Sequence, residues 1–194
     1  LLMLQHRGQD AAGISVCNND DQLNSRKSMG YVRDVFQQRH MDKLVGNYGI
    51  GHVRYPTAGG AGKEFAQPMY VNSPYGISLA HNGNLTNSKQ LGTQLFHAEM
   101  RHLRTDSDSE VLLNIFAHEL GKQREIYPSE KNIFKAVTKT HIRCDGAYAV
   151  IALINGYGLV AFRDNNGIRP LSIGVRKGKE REEYIVSSED ALFT

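Results

Sequence analysis

Tyr75-Gly-Ile-Ser-Leu-Ala-His-Asn-Gly-Asn-Leu-Thr-Asn87 is the stretch from which the fold can be worked out. Its first six residues form an apolar run typical of a buried strand. Thr86 is a favourable helix N-cap, and apolar residues at helical spacing follow it. These apolar residues are Leu91, Leu95 and Ala98. The pattern therefore predicts a strand, a junction at Asn82-Gly83, and then a helix over residues 87–100.

The Asn82-Gly83 pair is the first candidate functional feature of the chain. At a strand-to-helix junction, the side-chain amide of Asn82 would lie beside a backbone N–H that no side chain covers. Two such donors can stabilise the oxyanion that develops during acyl transfer. Asn-Gly is also the commonest turn dipeptide, so an ordinary turn remains the alternative.

Composition limits the classes of protein to consider. A chain of 194 residues with 40% hydrophobic and 22% charged residues is typical of one globular domain. The net charge of +3 comes from scattered basic residues, which argues against a nucleic-acid partner. The longest apolar run, residues 147–154, is far shorter than the roughly 20 residues of a membrane-spanning helix. The two cysteines suggest no disulfide framework, so we expect a cytoplasmic protein with no membrane partner.

Hydrophobic periodicity predicts strands, then helices, then strands again, which is an α+β order. One helix is predicted over residues 32–44, and the chain start has the pattern of a helix that ends at Gly8. The predicted strands are 12–17, 22–27, 49–54, 77–80, 147–154, 159–163, 171–175 and 184–187, and the later helices are 87–100, 107–121 and 131–142.

Two local signals are more specific than periodicity. Ser107 and Glu110 have capping-box spacing, which predicts that a helix begins between them. Asn155-Gly-Tyr-Gly158 lies between two apolar runs and predicts a β-hairpin.

Two charged residues fit an amino-acid ligand. Arg54 ends a predicted strand, where its planar guanidinium could bind a carboxylate. Asp108 begins a predicted helix and could bind an ammonium group, although acidic residues are common there because of the helix dipole. A cation, an anion and an oxyanion cradle together would suit an amino-acid amide.

The remaining groups of candidate residues give weaker evidence for a function. The segment 106–110 alternates oxygen-bearing side chains, but the residues that follow lack the glycine and glutamate of an EF-hand, and we expect no metal site. Cys144 follows His141 by three residues at a predicted helix end, where we interpret both as surface residues. Cys17 ends an apolar strand and is interpreted as a buried small hydrophobe.

Six motifs occur in order along the chain, at residues 4–13, 49–59, 67–76, 81–86, 107–110 and 162–171. Together they resemble the glutaminase domains of class II glutamine amidotransferases, and specifically the amidophosphoribosyltransferase family. The resemblance covers essentially the whole chain, and it implies an N-terminal-nucleophile hydrolase fold, a four-layer αββα sandwich of two antiparallel sheets. The aminosugar synthase glutaminases share only part of the pattern.

The resemblance implies a role for each matching residue. Arg54, helped by Thr57, would bind the glutamine carboxylate, and Asp108 would bind the ammonium group. Asn82 and Gly83 would form the oxyanion hole. Arg7 and Gly8 would surround the nucleophile.

The family's nucleophile is an N-terminal cysteine, and the sequence as given starts beyond the matching position. We therefore expect this 194-residue domain to be inactive by itself. The resemblance also implies a covalently linked phosphoribosyltransferase domain that uses Mg²⁺, no cofactor in the present domain, and a homo-oligomer. Two alternatives remain open: a catalytically dead glutamine-binding module, and the glutaminase domain of an aminosugar synthase.

Overall fold

Two antiparallel sheets form the centre of the computed structural model, which describes residues 1–55, 62–178, 182–190 and 193. The first sheet has the strand order β2-β1-β3, and the second has the order β4-β5-β6-β7. A separate antiparallel pair, β8-β9, follows. The strands are β1 Ala11–Cys17, β2 Leu23–Met29, β3 Tyr48–Arg54, β4 Met69–Val71, β5 Ile77–Leu85, β6 Gly146–Ile154, β7 Gly158–Arg163, β8 Ser172–Lys177 and β9 Glu182–Ser187.

The helices lie outside both sheets. Two are short 3₁₀ helices, Leu2–Arg7 and Lys63–Phe65. The α-helices are α1 Val32–Val35, α2 Gln38–Met41, α3 Ser88–Glu99, α4 Asp108–Gly121 and α5 Glu130–Arg143.

The two sheets pack face to face through small and apolar side chains. Residues from both sheets form one buried cluster: Cys17, Ile50, Ala80 and Leu153. Ser78 on β5 donates a hydrogen bond to Ser15 on β1 at 2.8 Å, with both hydroxyls buried. Each buried hydroxyl thus has a partner, which avoids the penalty of about 1–3 kcal/mol for an unsatisfied buried polar group.

The outer faces of both sheets are covered, which completes the four layers. Helices α3, α4 and α5 pack on the second sheet, and α4 is the most buried of them, with Leu112, Ile115 and Phe116 fully inaccessible. On the first sheet, Ala12 and Val53 pack against α1 and the first 3₁₀ helix. The αββα arrangement expected from the resemblance is confirmed.

The predicted strand-to-helix junction at Asn82-Gly83 is wrong. Strand β5 continues to Leu85, with Asn82 opposite Ala149 and Gly83 opposite Tyr148. The nine-residue partner β6 offers a backbone ladder along this whole length, which outweighs the turn preference of Asn-Gly. Helix α3 begins only at Ser88, with Asn87 rather than Thr86 as its N-cap residue.

The predicted helix over residues 32–44 is two separate turns, α1 and α2. Phe36 breaks it with an extended backbone (φ −112°, ψ 91°), and Arg26 donates to the carbonyl of Val35 at 2.8 Å. The helix predicted at the chain start is a 3₁₀ helix. The short strand β4 was not predicted, because three residues are too few to give a periodicity.

Cys144 ends helix α5 as expected, but the surface interpretation is wrong. It is 5% exposed and belongs to the core cluster between the helices and the second sheet. His141 is held by Tyr148, whose hydroxyl lies 2.9 Å from its Nδ1 atom. Cys17 is fully buried, as predicted.

Within the described ranges, no helix has the length and apolar character needed to cross a bilayer.

Candidate active site

One cleft of about 690 Å³ opens between the two sheets and the β8-β9 pair. It is lined by residues from β3, from the end of β5 and from the start of α4, which are distant in sequence. The candidate substrate-site residues from the sequence that line it are Arg7, Arg54, Asn82, Gly83 and Asp108. The cleft therefore gathers two cations, an anion and the candidate oxyanion donors.

Arg54 lies at the end of β3, as predicted, but its side chain is only 7% exposed. Its Nη1 atom lies 2.5 Å from Oδ2 of Asp10, and its guanidinium carbon lies 5.5 Å from the ring centre of Phe65. The ion pair and the aromatic ring fix the plane of the guanidinium at the cleft wall. Asp10 belongs to one of the six motifs, although the sequence alone gave it no role.

Gly8 lies directly against the backbone of Arg54, and Arg7 lines the cleft. A Cβ atom on Gly8 would lie 2.5 Å from the carbonyl carbon of Arg54, so only glycine allows this approach. Arg7 forms an ion pair with Glu189 through Nη1 and Oε1 at 2.5 Å. This pair ties the first 3₁₀ helix to the chain just after β9.

Asn82 lies in the second half of β5 and lines the cleft. Side chains alternate across a strand, so Asn82 shares a face with Ser78 and Ala80, which pack towards the first sheet. Gly83 has φ +153°, and a Cβ atom there would lie 2.0 Å from the carbonyl oxygen of Ala147. Any side chain at residue 83 would therefore push β5 away from β6.

Asp108 is the first residue of α4. Its Oδ2 atom accepts a hydrogen bond from the backbone N–H of Leu85 at 3.0 Å, while its side chain remains 22% exposed at the cleft. The N-cap of the helix is Ser107, as predicted, and its hydroxyl accepts from the N–H of Ser109. The carboxylate of Glu110 instead binds the backbone N–H groups of Arg104 and Thr105, so it orders the preceding loop.

Thr57 lies outside the described residues. In the described part of the chain, no group of three or more His, Cys, Asp or Glu side chains is arranged to hold a metal ion.

Sequence reasoning missed a set of buried and half-buried polar residues around these groups. They lie in five of the six motifs but meet only in the folded chain, so periodicity and spacing gave none of them a role. Burial lowers the pKa of His52 to about 4 and lowers that of His81, which keeps both rings neutral. The residues missed were His52, Gln67, His81, Ser109 and Arg169.

The two thiols of the chain lie apart from this chemistry. Cys17 donates through Sγ to Oδ1 of Asn155 at 3.2 Å and is fully buried between the sheets. Cys144 lies on the helix side of the second sheet, and burial raises its pKa to about 12. A thiol with such a pKa has almost no nucleophilic thiolate at neutral pH.

Comparison with known proteins identifies the family of the chain. Residues 60–194 match the family model described as a glutamine amidotransferase domain. The chain is 59% identical over 193 residues to the amidophosphoribosyltransferase of Pseudomonas aeruginosa and 58% identical over 195 residues to that of Escherichia coli. Both alignments cover 100% of this chain and 38% of the relative, so the chain spans well under half of their length.

A solved structure of a similar protein supports the same family and identifies the fold. The chain superposes on the glutamine phosphoribosylpyrophosphate amidotransferase from B. subtilis, complexed with ADP and GMP, with a TM-score of 0.79 at 34% identity. The superposition covers 98% of this chain and 38% of that one. The fold is therefore the N-terminal-nucleophile hydrolase sandwich, and the chain belongs to the glutamine amidotransferase domain family.

Proposed function

We propose that this chain is the glutaminase domain of an amidophosphoribosyltransferase, which releases ammonia from glutamine for the synthesis of phosphoribosylamine. One observation carries the proposal: Arg54, Asp108 and the Asn82-Gly83 pair line a single cleft. Those groups complement the carboxylate, the ammonium and the reacting amide of glutamine.

The amino-acid end of glutamine would bind between Arg54 and Asp108. Arg54 is fixed by Asp10, so little conformational freedom is lost when a carboxylate binds it. Asp108 is held by the N–H of Leu85 while part of its carboxylate faces the cleft. Thr57, which follows Arg54 closely in the chain, is assigned to the same end of the substrate by family resemblance alone.

The reacting amide would lie against Asn82 and Gly83. Attack on its carbon converts the carbonyl oxygen into an oxyanion, which the Asn82 amide and the Gly83 N–H would stabilise. The close approach of Gly83 to Ala147 supports this assignment, because it fixes the backbone at the position where the donor is needed.

The resemblance assigns the nucleophile to an N-terminal cysteine close to Arg7 and Gly8. Its thiolate would attack the amide carbon, and the C–N bond would break as ammonia leaves with a proton carried by the cysteine's α-amine. A thioester would remain. Water would then release glutamate and restore the thiol.

The other proposals concern the whole protein. The partial coverage of the relatives supports a further, covalently linked domain. The family resemblance alone implies that this is a phosphoribosyltransferase domain that consumes the ammonia and uses Mg²⁺, and that the whole protein is a cytoplasmic homo-oligomer. The relatives' shared name also favours this function over an aminosugar synthase. The Asn82-Gly83 donors at the cleft, which glutamine binding alone does not require, favour it over a catalytically dead module.

The decisive experiment uses the product of the complete open reading frame. With glutamine and phosphoribosyl pyrophosphate, we expect one glutamate for each pyrophosphate released. Synthesis from added ammonia should bypass the glutaminase site. Transfer to a hexose phosphate, or glutamine binding with no hydrolysis, would instead support one of the two alternatives.

Replacing Arg54 by lysine tests carboxylate recognition. The charge is kept, but an ammonium group cannot form two parallel hydrogen bonds, so we expect the KM for glutamine to rise by the equivalent of about 1.5–3 kcal/mol. Activity with added ammonia should be unchanged. An unchanged KM would remove Arg54 from the substrate site.

The thiols within the chain provide a separate prediction. Because both are buried and Cys144 has a strongly raised pKa, the 194-residue polypeptide should release no glutamate from glutamine. Release that disappears after alkylation of Cys144 would contradict this prediction. Adding an upstream segment with a leading cysteine should restore turnover.

A further inference from the structure

The hydroxyl of Ser109 is a buried junction beside the candidate substrate site. Its oxygen lies 2.8 Å from Nδ1 of His81, 3.1 Å from Nε2 of Gln67 and 3.4 Å from Oδ1 of Asp108. Ser109 is only 4% exposed. Gln67 donates to this hydroxyl, the hydroxyl donates to Asp108, and the direction of the His81 contact is set by which ring nitrogen carries the proton.

These contacts connect two parts of the cleft that are far apart in sequence. Ser109 follows Asp108 at the start of α4, and His81 precedes Asn82 on β5. Gln67 adds a second connection, because its Oε1 atom accepts from the backbone N–H of His81 at 2.7 Å. These hydrogen bonds hold the start of α4 in a fixed position relative to the end of β5.

We propose that Ser109 is a positioning residue that sets the distance and orientation of the Asp108 carboxylate relative to the Asn82-Gly83 donors. The inference rests on the proposed function, in which these two groups bind opposite ends of glutamine. Ser109 itself does not contact the substrate.

A neutral His81 is needed for this arrangement. Its Nδ1 atom lies 3.9 Å from Oδ1 of Asp108, so a protonated ring would attract the carboxylate and compete with the substrate ammonium. Burial lowers the pKa of His81, with Asp108 acting in the opposite direction and Arg169 in the same direction. The imidazole can therefore hydrogen-bond with Ser109 without adding a charge.

A pair of ligands can separate positioning from general stability. Glutamine has an α-ammonium group, and 4-carbamoylbutanoate is the same molecule with hydrogen in its place. If Ser109 acts through Asp108, Ser109→Ala should raise the KM for glutamine about tenfold. The inhibition constant of 4-carbamoylbutanoate should stay within about twofold of the wild-type value.

Ser78→Ala is the matched control, since it also removes a fully buried hydroxyl from a hydrogen bond, three residues before His81. We expect it to lower the melting temperature without changing the ratio of the two constants. Ser109→Thr, which keeps the hydroxyl, should retain the wild-type ratio.

The measurements are made on the product of the complete open reading frame. Equal weakening of both ligands in Ser109→Ala, or no change in either, would overturn the positioning role. If the wild-type protein hydrolyses no glutamine, the proposed function fails instead. Asp108→Asn provides the reference, because it should abolish the preference for glutamine whether or not Ser109 contributes.

Discussion

Replacing Asn82 by alanine should lower kcat for glutamine hydrolysis by roughly 10²–10³-fold, or about 3–4 kcal/mol, as for loss of one oxyanion donor in other acyl-transfer enzymes. The side chain lies on the face of β5 that points towards the first sheet and lines the cleft. Arg54 and Asp108 would still bind the amino-acid end of the substrate. The KM should therefore remain close to its wild-type value.

The alternative role of Asn82 as a turn residue predicts a different outcome, with a lower melting temperature and a nearly normal kcat. That role has lost its structural basis, since Asn82 lies within β5, opposite Ala149. Asn84→Ala is the control, because Asn84 is an exposed residue of the same strand. Normal turnover in Asn82→Ala, with ammonia-dependent synthesis unaffected, would exclude an oxyanion role.

Short signals with a direct physical cause were the most successful sequence predictions. Asn155-Gly-Tyr-Gly158 forms the hairpin between β6 and β7, where Gly156 has φ +72°. Ser107 caps α4 because its hydroxyl can accept a backbone hydrogen bond regardless of the rest of the fold. Arg54 is the last residue of β3, as the predicted strand over residues 49–54 indicated.

The sequence predictions were wrong where residues far away in the chain determine the local structure. Residues 81–85 have turn-forming side chains, yet β6 extends them as a strand. Phe36 interrupts a helical pattern because it packs with the cluster below α1. Cys144 has polar neighbours in sequence, but the end of α5 turns it into the core.

The buried polar network could not be predicted for the same reason. Gln67, His81 and Ser109 are separated by 14 and 28 residues, and although each lies in one of the six motifs, the local pattern gives none of them a partner. Only the packing of α4 against β5 brings them together. The residues that would contact the substrate were accessible from sequence through chemistry and resemblance, whereas the contacts among the side chains that position them were not.

The second large effect concerns stability rather than catalysis. Arg143, the last residue of α5, lies 2.6 Å from Oε1 of Glu99 and 2.7 Å from Oε1 of Glu119. The two carboxylate side chains are 8% and 5% exposed. Replacing Arg143 by methionine would remove a side chain that pairs with both buried carboxylates, so we expect the free energy of unfolding to fall by about 3–5 kcal/mol at pH 7.

Lys122→Met is the matched control for this prediction. Lys122 also binds Glu119, at 2.8 Å, but its side chain is 52% exposed. Water screens such a pair, so the expected loss is about 0–1 kcal/mol. Equal losses in the two variants would show that the burial of Arg143 adds nothing to its contribution.

The pH dependence provides an independent check on the Arg143 network. Burial alone would raise the pKa of Glu119, but hydrogen bonds from Lys122 and Arg143 lower it overall from its ordinary value of 4.5. The wild-type protein therefore gains stability from this carboxylate above about pH 4.5 and loses it as the pH falls through the lowered pKa. In Arg143→Met, one of the two hydrogen bonds that lower the pKa of Glu119 is lost, so this carboxylate is protonated more easily. The difference in free energy of unfolding between the variant and the wild type should therefore shrink as the pH falls. Urea unfolding of both proteins at pH 7 and pH 4 measures this change, and a deficit that grows at pH 4 would exclude charge burial as its cause.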